Sequence, residues 1–443
     1  MFIRVWQKFC HLVVKIFYRH YEVSGLEHIH ESGPVLLCAN HANALADAVI
    51  LQAVMHRHIH PMARSGLFKN PVLWPILKLI KAIPVYRRQD PDSNMVQNQD
   101  SFRKCYELFD ENGVLLIFPE GQSHSDPSLR PLKTGAARIA LGAIQANSKV
   151  PLLVPAGLNF SSKGRFRSTV FIKFGEPVDL QPILTKDKSI QSNALTEAIY
   201  KGLDDVTLNV DSNEELDFIR SLERFFALRH GKYRQRSLEL KFRALKKLAL
   251  AGKQLRDIYP EKMQAIRRRL HNFERLCRAL DIKDYHLTFD YRPSIIFRFI
   301  MRSLFILLVI LPLGVWGILN SFVPFFLTRW TARSVSRGED QYDTAKMVIG
   351  LVLFILFWGI QTGLVAKYYS YELAMYYLIF LIPTSAAALM LRNERRRIWD
   401  NIRVFFLFVR RRRLRLYLEA RRHELEKDLA QLVRLIKKKR RIS

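Results

Sequence analysis

The sequence predicts an α/β sheet flanked by helices, followed by a helical region, membrane segments and a basic helical tail. Strand-like and helix-like stretches alternate from residue 17 to about 180, the signature of an α/β domain. Three later stretches, 303–327, 347–366 and 373–391, are nearly free of charge and about as long as a bilayer requires. The third observation is compositional: 49% of the 443 residues are hydrophobic, yet the formal net charge is +30. Both facts hold only if charged and apolar residues are segregated along the chain. The expected organisation is an amphipathic helix over 1–16, an α/β domain over 17–183 and a helical domain over 184–292. Membrane segments then fill 293–391, with 303–327 as a re-entrant stretch, and a basic tail occupies 392–443.

So strong a basic charge implies an anionic partner, either nucleic acid or an acidic membrane face. The four cysteines, Cys10, Cys38, Cys105 and Cys277, are scattered and form no CxxC pair. That argues for a reducing compartment and against a disulfide framework or a structural zinc site. The first residues, Met1-Phe2-Ile3-Arg4-Val5-Trp6-Gln7-Lys8, spread charge among apolar residues and lack a small-residue cleavage site. They suit an interfacial amphipathic helix to about Ile16 better than a signal peptide.

Tyr21-Glu22-Val23 and Val35-Leu36-Leu37-Cys38 read as short strands, and a helix is expected from Leu45 to about Met55. His41 falls where the second strand gives way to that helix, and Asp47 lies six residues on. On one straight helix the two would stand roughly 240° apart. With His41 in the turn and Asp47 in the first turns of the helix, the carboxylate can reach back to the ring. One imidazole nitrogen is then fixed and the other is free to take a proton, as a general base requires. The alternative is a surface histidine beside a helix-opening aspartate. His56, His58 and His60 alternate and would share one face of a strand. A metal site there would lack a nearby acidic or cysteine ligand, and Pro61 is expected to end the run.

Ile83-Pro84-Val85-Tyr86-Arg87-Arg88 reads as a strand with two guanidinium groups at its end. Neighbours on a strand face opposite ways, so one can look into a site: Arg87, with Arg88 solvated. Residues 101–112 form an amphipathic helix with Phe102, Cys105, Leu108 and Phe109 on one face, closed by Gly113. Val114-Leu115-Leu116-Ile117-Phe118 then reads as a strand buried on both faces. It ends in Pro119-Glu120-Gly121-Gln122-Ser123-His124, where ligands bind in open α/β sheets. Gly121 permits close backbone approach, and Glu120 and Ser123 offer polar contacts. Lys133-Thr134-Gly135 opens a helix whose free N–H groups, hydroxyl and lysine suit a phosphate; an ordinary capped helix is the alternative. Leu152–Leu158 and Val170–Phe174 supply two more strands.

Asn40-His41 with Asp47, Ile83-Pro84-Val85-Tyr86-Arg87, Phe118-Pro119-Glu120-Gly121 and Val154-Pro155 occur in the order of the four blocks of the glycerophospholipid acyltransferase family. The stretch from 17 to about 180 resembles that family, and a glycerolipid acyltransferase-like sheet is implied. It departs from the commonest pattern in having His-x5-Asp where His-x4-Asp is usual. Gln122-Ser123 also stands where Thr-Arg often follows the third block. The longer spacing resembles the branch containing fungal-type glycerol-3-phosphate and dihydroxyacetone-phosphate acyltransferases, which leaves the acceptor open.

The resemblance implies a membrane enzyme of phospholipid biosynthesis that needs no metal or other cofactor. It would transfer a fatty acyl chain from acyl-CoA or acyl carrier protein, as co-substrate, to glycerol 3-phosphate, dihydroxyacetone phosphate or 1-acylglycerol 3-phosphate. His41 would deprotonate the acceptor hydroxyl while Asp47 holds its tautomer, with no acyl-enzyme intermediate. Arg87 would hold the acceptor phosphate in a pocket shaped by Glu120 and Gly121, with Ser123 and Lys133 as further substrate contacts.

Residues 184–287 carry Leu-rich spacings of three and four among many Arg and Lys, as helices packing on one another do. Around the apolar stretches lie Arg292, Arg298 and Arg302, then Arg329, Arg333 and Arg337, then Arg392, Arg395, Arg396 and Arg397. A first segment that dips in and returns keeps all three clusters cytoplasmic, with the catalytic domain. Pro312, Gly314, Gly317, Asn320 and Pro324 fit such a broken segment. From Arg392 the tail carries 19 Lys and Arg against 6 Asp and Glu, with Trp399, Ile402, Phe405, Phe406 and Phe408 interleaved. Leu425, Leu429, Leu432 and Ile436 follow at heptad-like spacing. Such a tail suits anionic membrane lipid, and no nucleic acid is expected because no recognition fold accompanies it. The competing reading of the whole chain is a non-catalytic membrane scaffold that binds lipid through its basic helices.

Overall fold

The computed structural model describes residues 2–71, 73–87, 97–229, 237–287, 293–336 and 338–439. Among them seven strands form one sheet: β1 (His20–Ser24), β2 (Val35–Ala39), β3 (Ile59–Arg64), β4 (Ile83–Val85), β5 (Val114–Ile117), β6 (Leu152–Phe160) and β7 (Thr169–Phe174). Their order is β1-β7-β6-β2-β5-β3-β4. Every pairing is parallel except that of β6 with β7. The uninterrupted apolar runs occupy the middle of the sheet, and every residue of β2 and β5 is buried. A strand covered on both faces has no polar side to show.

The covering helices are α1 (Phe2–Phe17), α2 (Leu45–Val54), α3 (Trp74–Leu79), α4 (Gln97–Asp110), α5 (Gly135–Gln145), α6 (Gln181–Leu184) and α7 (Lys188–Val206). Strand alternation divides the core in two. Leu36, Cys38, Leu115 and Ile117 face α4, α5 and α7 through Phe109, Ala140 and Leu203. Val35, Leu37, Val114 and Leu116 face the other way, onto Val14, Phe17, Ile50 and Leu51 of α1 and α2. The opposite side of α1 leaves Ile3, Val5, Leu12 and Ile16 exposed, as an interfacial helix would.

Two details differ from the sequence reading. Pro61 does not end the histidine run but lies inside β3, which pairs with β5 through Ile59–Pro61 and with β4 through Met62–Arg64. The missing N–H falls where the strand passes from one neighbour to the other, so no ladder bond is lost. The helix expected over 101–112 runs four residues earlier and ends at Asp110, and Asn112 takes the left-handed turn (φ 58°).

Among the described residues nine further helices follow: α8 (Asn213–Arg229), α9 (Leu238–Ile258), α10 (Pro260–Ala279), α11 (Asp284–Leu287), α12 (Pro293–Phe305), α13 (Leu311–Val335), α14 (Glu339–Tyr368), α15 (Tyr371–Arg410) and α16 (Arg412–Lys439). The chain forms two compact units. The first comprises Met1–Leu216, Ser237–Lys246 and Ala332–Val348. The head of α9 belongs to it because Glu22 accepts hydrogen bonds from the N–H groups of Leu238 (2.5 Å) and Glu239 (3.4 Å), which lack partners within the helix. Lys246 then donates to the Asp204 carbonyl.

The described residues of the second unit, which spans Asp217–Arg236, Lys247–Thr331 and Ile349–Ser443, are mainly helical. Its core joins Phe218, Leu222 and Phe225 to Met263, Leu270 and Phe273, and to Val404, Phe408 and Leu425. Among the described residues three helical stretches are long and apolar enough to cross a membrane: Phe297–Val335, Glu339–Tyr368 and Tyr371–Arg392. The first is helical along its length, with a π-helical turn at Ile306–Ile310 and Pro324 inside α13. Gly317 serves packing there, since a Cβ on it would lie 2.1 Å from the Thr384 carbonyl oxygen. Asn320 links the three apolar helices: its Oδ1 accepts the Tyr377 hydroxyl at 2.6 Å, and its carbonyl accepts the Gln361 amide at 3.0 Å. Arg88, Arg292 and Arg337 lie outside the described residues, as do the side chains of residues 395–397, Leu432 and Ile436.

A methyl group at Gly157 would meet the Val206 carbonyl oxygen at 2.0 Å. Gly157→Ala is expected to destabilise the first unit by about 1–3 kcal/mol, measured as a lowered melting temperature. Burial pushes the thiols of Cys10, Cys38 and Cys105 up to about 12, and Cys277 is also buried. The folded protein is therefore expected to resist a thiol reagent at pH 8 and to react at all four cysteines once unfolded. Rapid labelling of the native protein would contradict this.

Candidate active site

The polar groups collect beyond the carboxyl ends of β2, β4, β5 and β6. β2 and β5 run side by side with Cys38 opposite Ile117, so the chain leaves both strands at the same edge. His41 follows one and Glu120 the other. The imidazole Nδ1 of His41 lies 3.1 Å from Asp47 Oδ2. The same oxygen accepts the backbone N–H groups of Ala42 and Asn43, each at 2.8 Å. Asp47 is fully buried. A carboxylate there fixes Nδ1 as the N–H donor and leaves the lone pair on Nε2. The ring also stacks on Phe118, with centroids 4.0 Å apart and planes 15° from parallel. Its side chain keeps 18% of its exposure, so the ring is held yet reachable.

Glu120 holds His41 through the backbone. Its Oε1 accepts the His41 N–H at 2.8 Å, and its Oε2 accepts the Arg130 N–H at 2.9 Å and the His124 ring. The His124 N–H in turn donates to the His41 carbonyl at 3.0 Å. Only 3% of Glu120 is exposed, so both its oxygens face protein groups.

Gly121 adopts φ 78°, a conformation that glycine takes without steric cost. Its carbonyl accepts Arg87 Nη1 at 2.7 Å. Lys133 runs alongside, its Cγ 3.4 Å from where a Gly121 Cβ would stand, and its N–H donates to the Pro119 carbonyl at 2.7 Å. Arg87, Gly121 and Lys133 thus come together beside the His41 loop, just before α5. Ser123 points elsewhere, and its hydroxyl donates to Asp340.

The sequence reading did not single out Lys163, Asp340, Asp343 or Thr344. Lys163 extends from the loop after β6 to the His124 carbonyl at 3.4 Å. Burial lowers its ammonium below the ordinary lysine value, and the carboxylates of Asp47, Glu120, Asp126 and Asp340 oppose that shift. Asp340, Asp343 and Thr344 belong to the head of α14, so this first turn is part of the site's unit. Their one sequence signal is a cluster of acids just before an apolar run, which also describes any solvated helix start. His58 and His60 do share one side of the chain, with rings 4.7 Å apart. His58 Nε2 donates to the Ile80 carbonyl at 3.1 Å, and burial pushes His60 down to about 4.

Residues 20–158 match the Acyltransferase family. Glycerol-3-phosphate O-acyltransferase 1 of Saccharomyces cerevisiae is 31% identical over 132 residues, 28% of this chain and 17% of that protein. The 1-acyl-sn-glycerol-3-phosphate acyltransferase of Bacillus subtilis is 28% identical over 185 residues, 41% of this chain and 84% of that one. The crystal structure of the 1-acyl-sn-glycerophosphate acyltransferase PlsC from Thermotoga maritima aligns with 46% of this chain and 79% of its own, at 19% identity and a TM-score of 0.35. The chain spans less than a fifth of the length of its yeast relative. The matched stretch holds β1 to β6, and both ordered partners of the His41 ring lie within it. Residues 20–158 thus form an acyltransferase domain, similar to those of relatives named for glycerol 3-phosphate and 1-acyl-sn-glycerol 3-phosphate, and the likeness of this part of the chain supports the glycerophospholipid acyltransferase family.

Proposed function

We propose that the protein is a membrane-bound O-acyltransferase that moves a fatty acyl chain from a thioester to a hydroxyl of a glycerol phosphate. The observation that carries this reading is the His41–Asp47 contact, in which a buried carboxylate orients the ring and leaves Nε2 to act as base. Nε2 takes the proton of the acceptor hydroxyl as its oxygen attacks the thioester carbonyl. The tetrahedral intermediate collapses, the carbon–sulfur bond breaks, and the thiolate takes the proton back from His41. Ester and free thiol are the products. An acyl-enzyme is not needed, and two nearby candidate nucleophiles are unsuited to forming one. The Cys38 thiol is pushed up to about 12, and the Ser123 hydroxyl is committed to Asp340.

Arg87 with Lys133 would take the acceptor phosphate, for which a planar guanidinium is well shaped. Glu120 and Gly121 would shape the pocket from behind. The donor would be acyl-CoA or acyl carrier protein, as co-substrate. The relatives are named for glycerol 3-phosphate and 1-acyl-sn-glycerol 3-phosphate, and dihydroxyacetone phosphate is a third acceptor to test.

We also propose that the first apolar helix begins and ends on the catalytic, cytoplasmic side, and that the next two form a crossing hairpin. Residues 1–216 and 237–246 before that helix and residues 332–348 after it share one unit, and among the described residues of 217–296 no helix is long and apolar enough to cross a membrane. The π-helical turn and Pro324 are where such a helix can bend. The Arg-rich flanks would then face anionic lipid on one side.

A labelled acyl donor offered with each of the three acceptors to the membrane-reconstituted protein tests the chemistry. Product with glycerol 3-phosphate marks a first acylation, and product only with the lysophosphatidate marks a second. His41→Ala is expected to lower turnover at least about a hundredfold without loss of folding; near-full turnover would overturn the mechanism. Arg87→Ala is expected to raise the acceptor KM by roughly tenfold to a hundredfold, with a smaller change in kcat. For topology, Arg333→Cys should react with an impermeant maleimide from the catalytic side and Tyr369→Cys from the other. Labelling of both from one side would refute the hairpin.

A further inference from the structure

We propose that Thr344, in the head of α14, is a positioning residue that latches the turn between His41 and Asp47. The inference rests on the acyl-transfer reading for its rate measurement and on geometry for the rest. The turn is strained at its centre. Ala44 has φ 47° and ψ −127°, a conformation that residues with a Cβ seldom adopt. Such a conformation is costly and persists only where its surroundings over-determine it. The strain has a use. It turns the N–H groups of Ala42 and Asn43 onto Asp47 Oδ2, the oxygen that also faces His41 Nδ1.

The Thr344 hydroxyl joins the two sides of that strained residue. It donates to the Asn43 carbonyl at 2.9 Å and accepts the Ala46 N–H at 3.1 Å. A hydroxyl can do both at once, whereas no other side chain of similar size without one can. The rest of the helix head is fastened to the neighbouring loops. Asp343, fully buried, accepts the Gly164 N–H at 2.9 Å and lies 3.4 Å from Lys346 Nζ. Lys346 also donates to the Gly164 carbonyl. Asp340 takes the Ser123 hydroxyl. Residues 340–346 therefore touch all three loops that follow β2, β5 and β6. Asp340 and Asp343 hold the helix head, Asp343 also meets the Asn43 side chain, and the Thr344 hydroxyl bonds the backbone of the turn bearing His41.

The test uses the full-length reconstituted protein with Thr344→Val, which keeps shape and removes the hydroxyl, and Thr344→Ser, which keeps the hydroxyl. Hydrogen exchange is followed in the peptide covering 40–47, and kcat and acceptor KM are measured. Thr344→Val is expected to speed exchange in that peptide. It should lower kcat roughly tenfold to a hundredfold, as a small displacement of a reacting group does, with acceptor KM changed by less than about threefold. Thr344→Ser should restore both. In a His41→Ala background, Thr344→Val should lower the residual rate no further, because its effect passes through His41. Unchanged exchange at 40–47, or an equal rate loss with and without His41, would overturn the proposal. If the unmodified protein gives no His41-dependent product, the acyl-transfer reading fails, and the exchange comparison alone still decides whether Thr344 holds the turn.

Discussion

A single buried carboxylate oxygen, Oδ2 of Asp47, organises the turn on which the candidate site is built. It receives the His41 ring and two backbone N–H groups within 3.1 Å. Removing a carboxylate from water is costly, and donors of this kind offset the cost by favouring the charged form. They also convert a flexible strand-to-helix connection into one fixed shape. The parallel pairing of β2 with β5 brings Glu120 beneath the same connection, where it captures the His41 N–H. The ring is thereby oriented from its side chain and from its backbone by two different carboxylates, one in α2 and one in the loop after β5.

The site is divided by charge. Asp47 Oδ2, Glu120 and the helix-head acids take hydrogen bonds from protein donors, with the ammonium groups of Lys163 and Lys346 among them. Arg87 and Lys133 lie on the other side of the Gly121 backbone and are more open to solvent. A carboxylate wholly engaged by the fold has no lone pairs left for a ligand. Glu120 therefore acts on its surroundings chiefly through the shape of its loop.

Much of this was legible in the sequence because its causes are local. Continuous apolar runs located the central strands, and a histidine at a strand end with an aspartate inside the next helix specified the central contact. Arg87, Gly121 and Lys133 were legible as residues at the ends of predicted elements, and the structure brings them together. Pro61 was misread because proline signals a strand's end unless the strand changes partners there, and pairing is not written in one strand. Thr344 and Asp343 were invisible for a different reason. Their partners are Asn43 and Gly164, 301 and 179 residues away, and no periodicity encodes so distant a contact. Ala44 gave no warning either, since alanine is an ordinary residue before a helix and only the backbone reveals its strain.

The distance between Asn43 and Thr344 also has a meaning in time. A ribosome adding about 5–20 residues per second exposes the turn roughly 15–60 s before it can deliver the threonine that secures it. During that interval the sheet and its two cores can assemble, while the connection carrying His41 is free to relax. The first apolar helix must also leave the ribosome before residue 344 does. Biosynthesis therefore fixes an order of events: the first apolar helix is complete before Thr344 can reach the turn that carries His41.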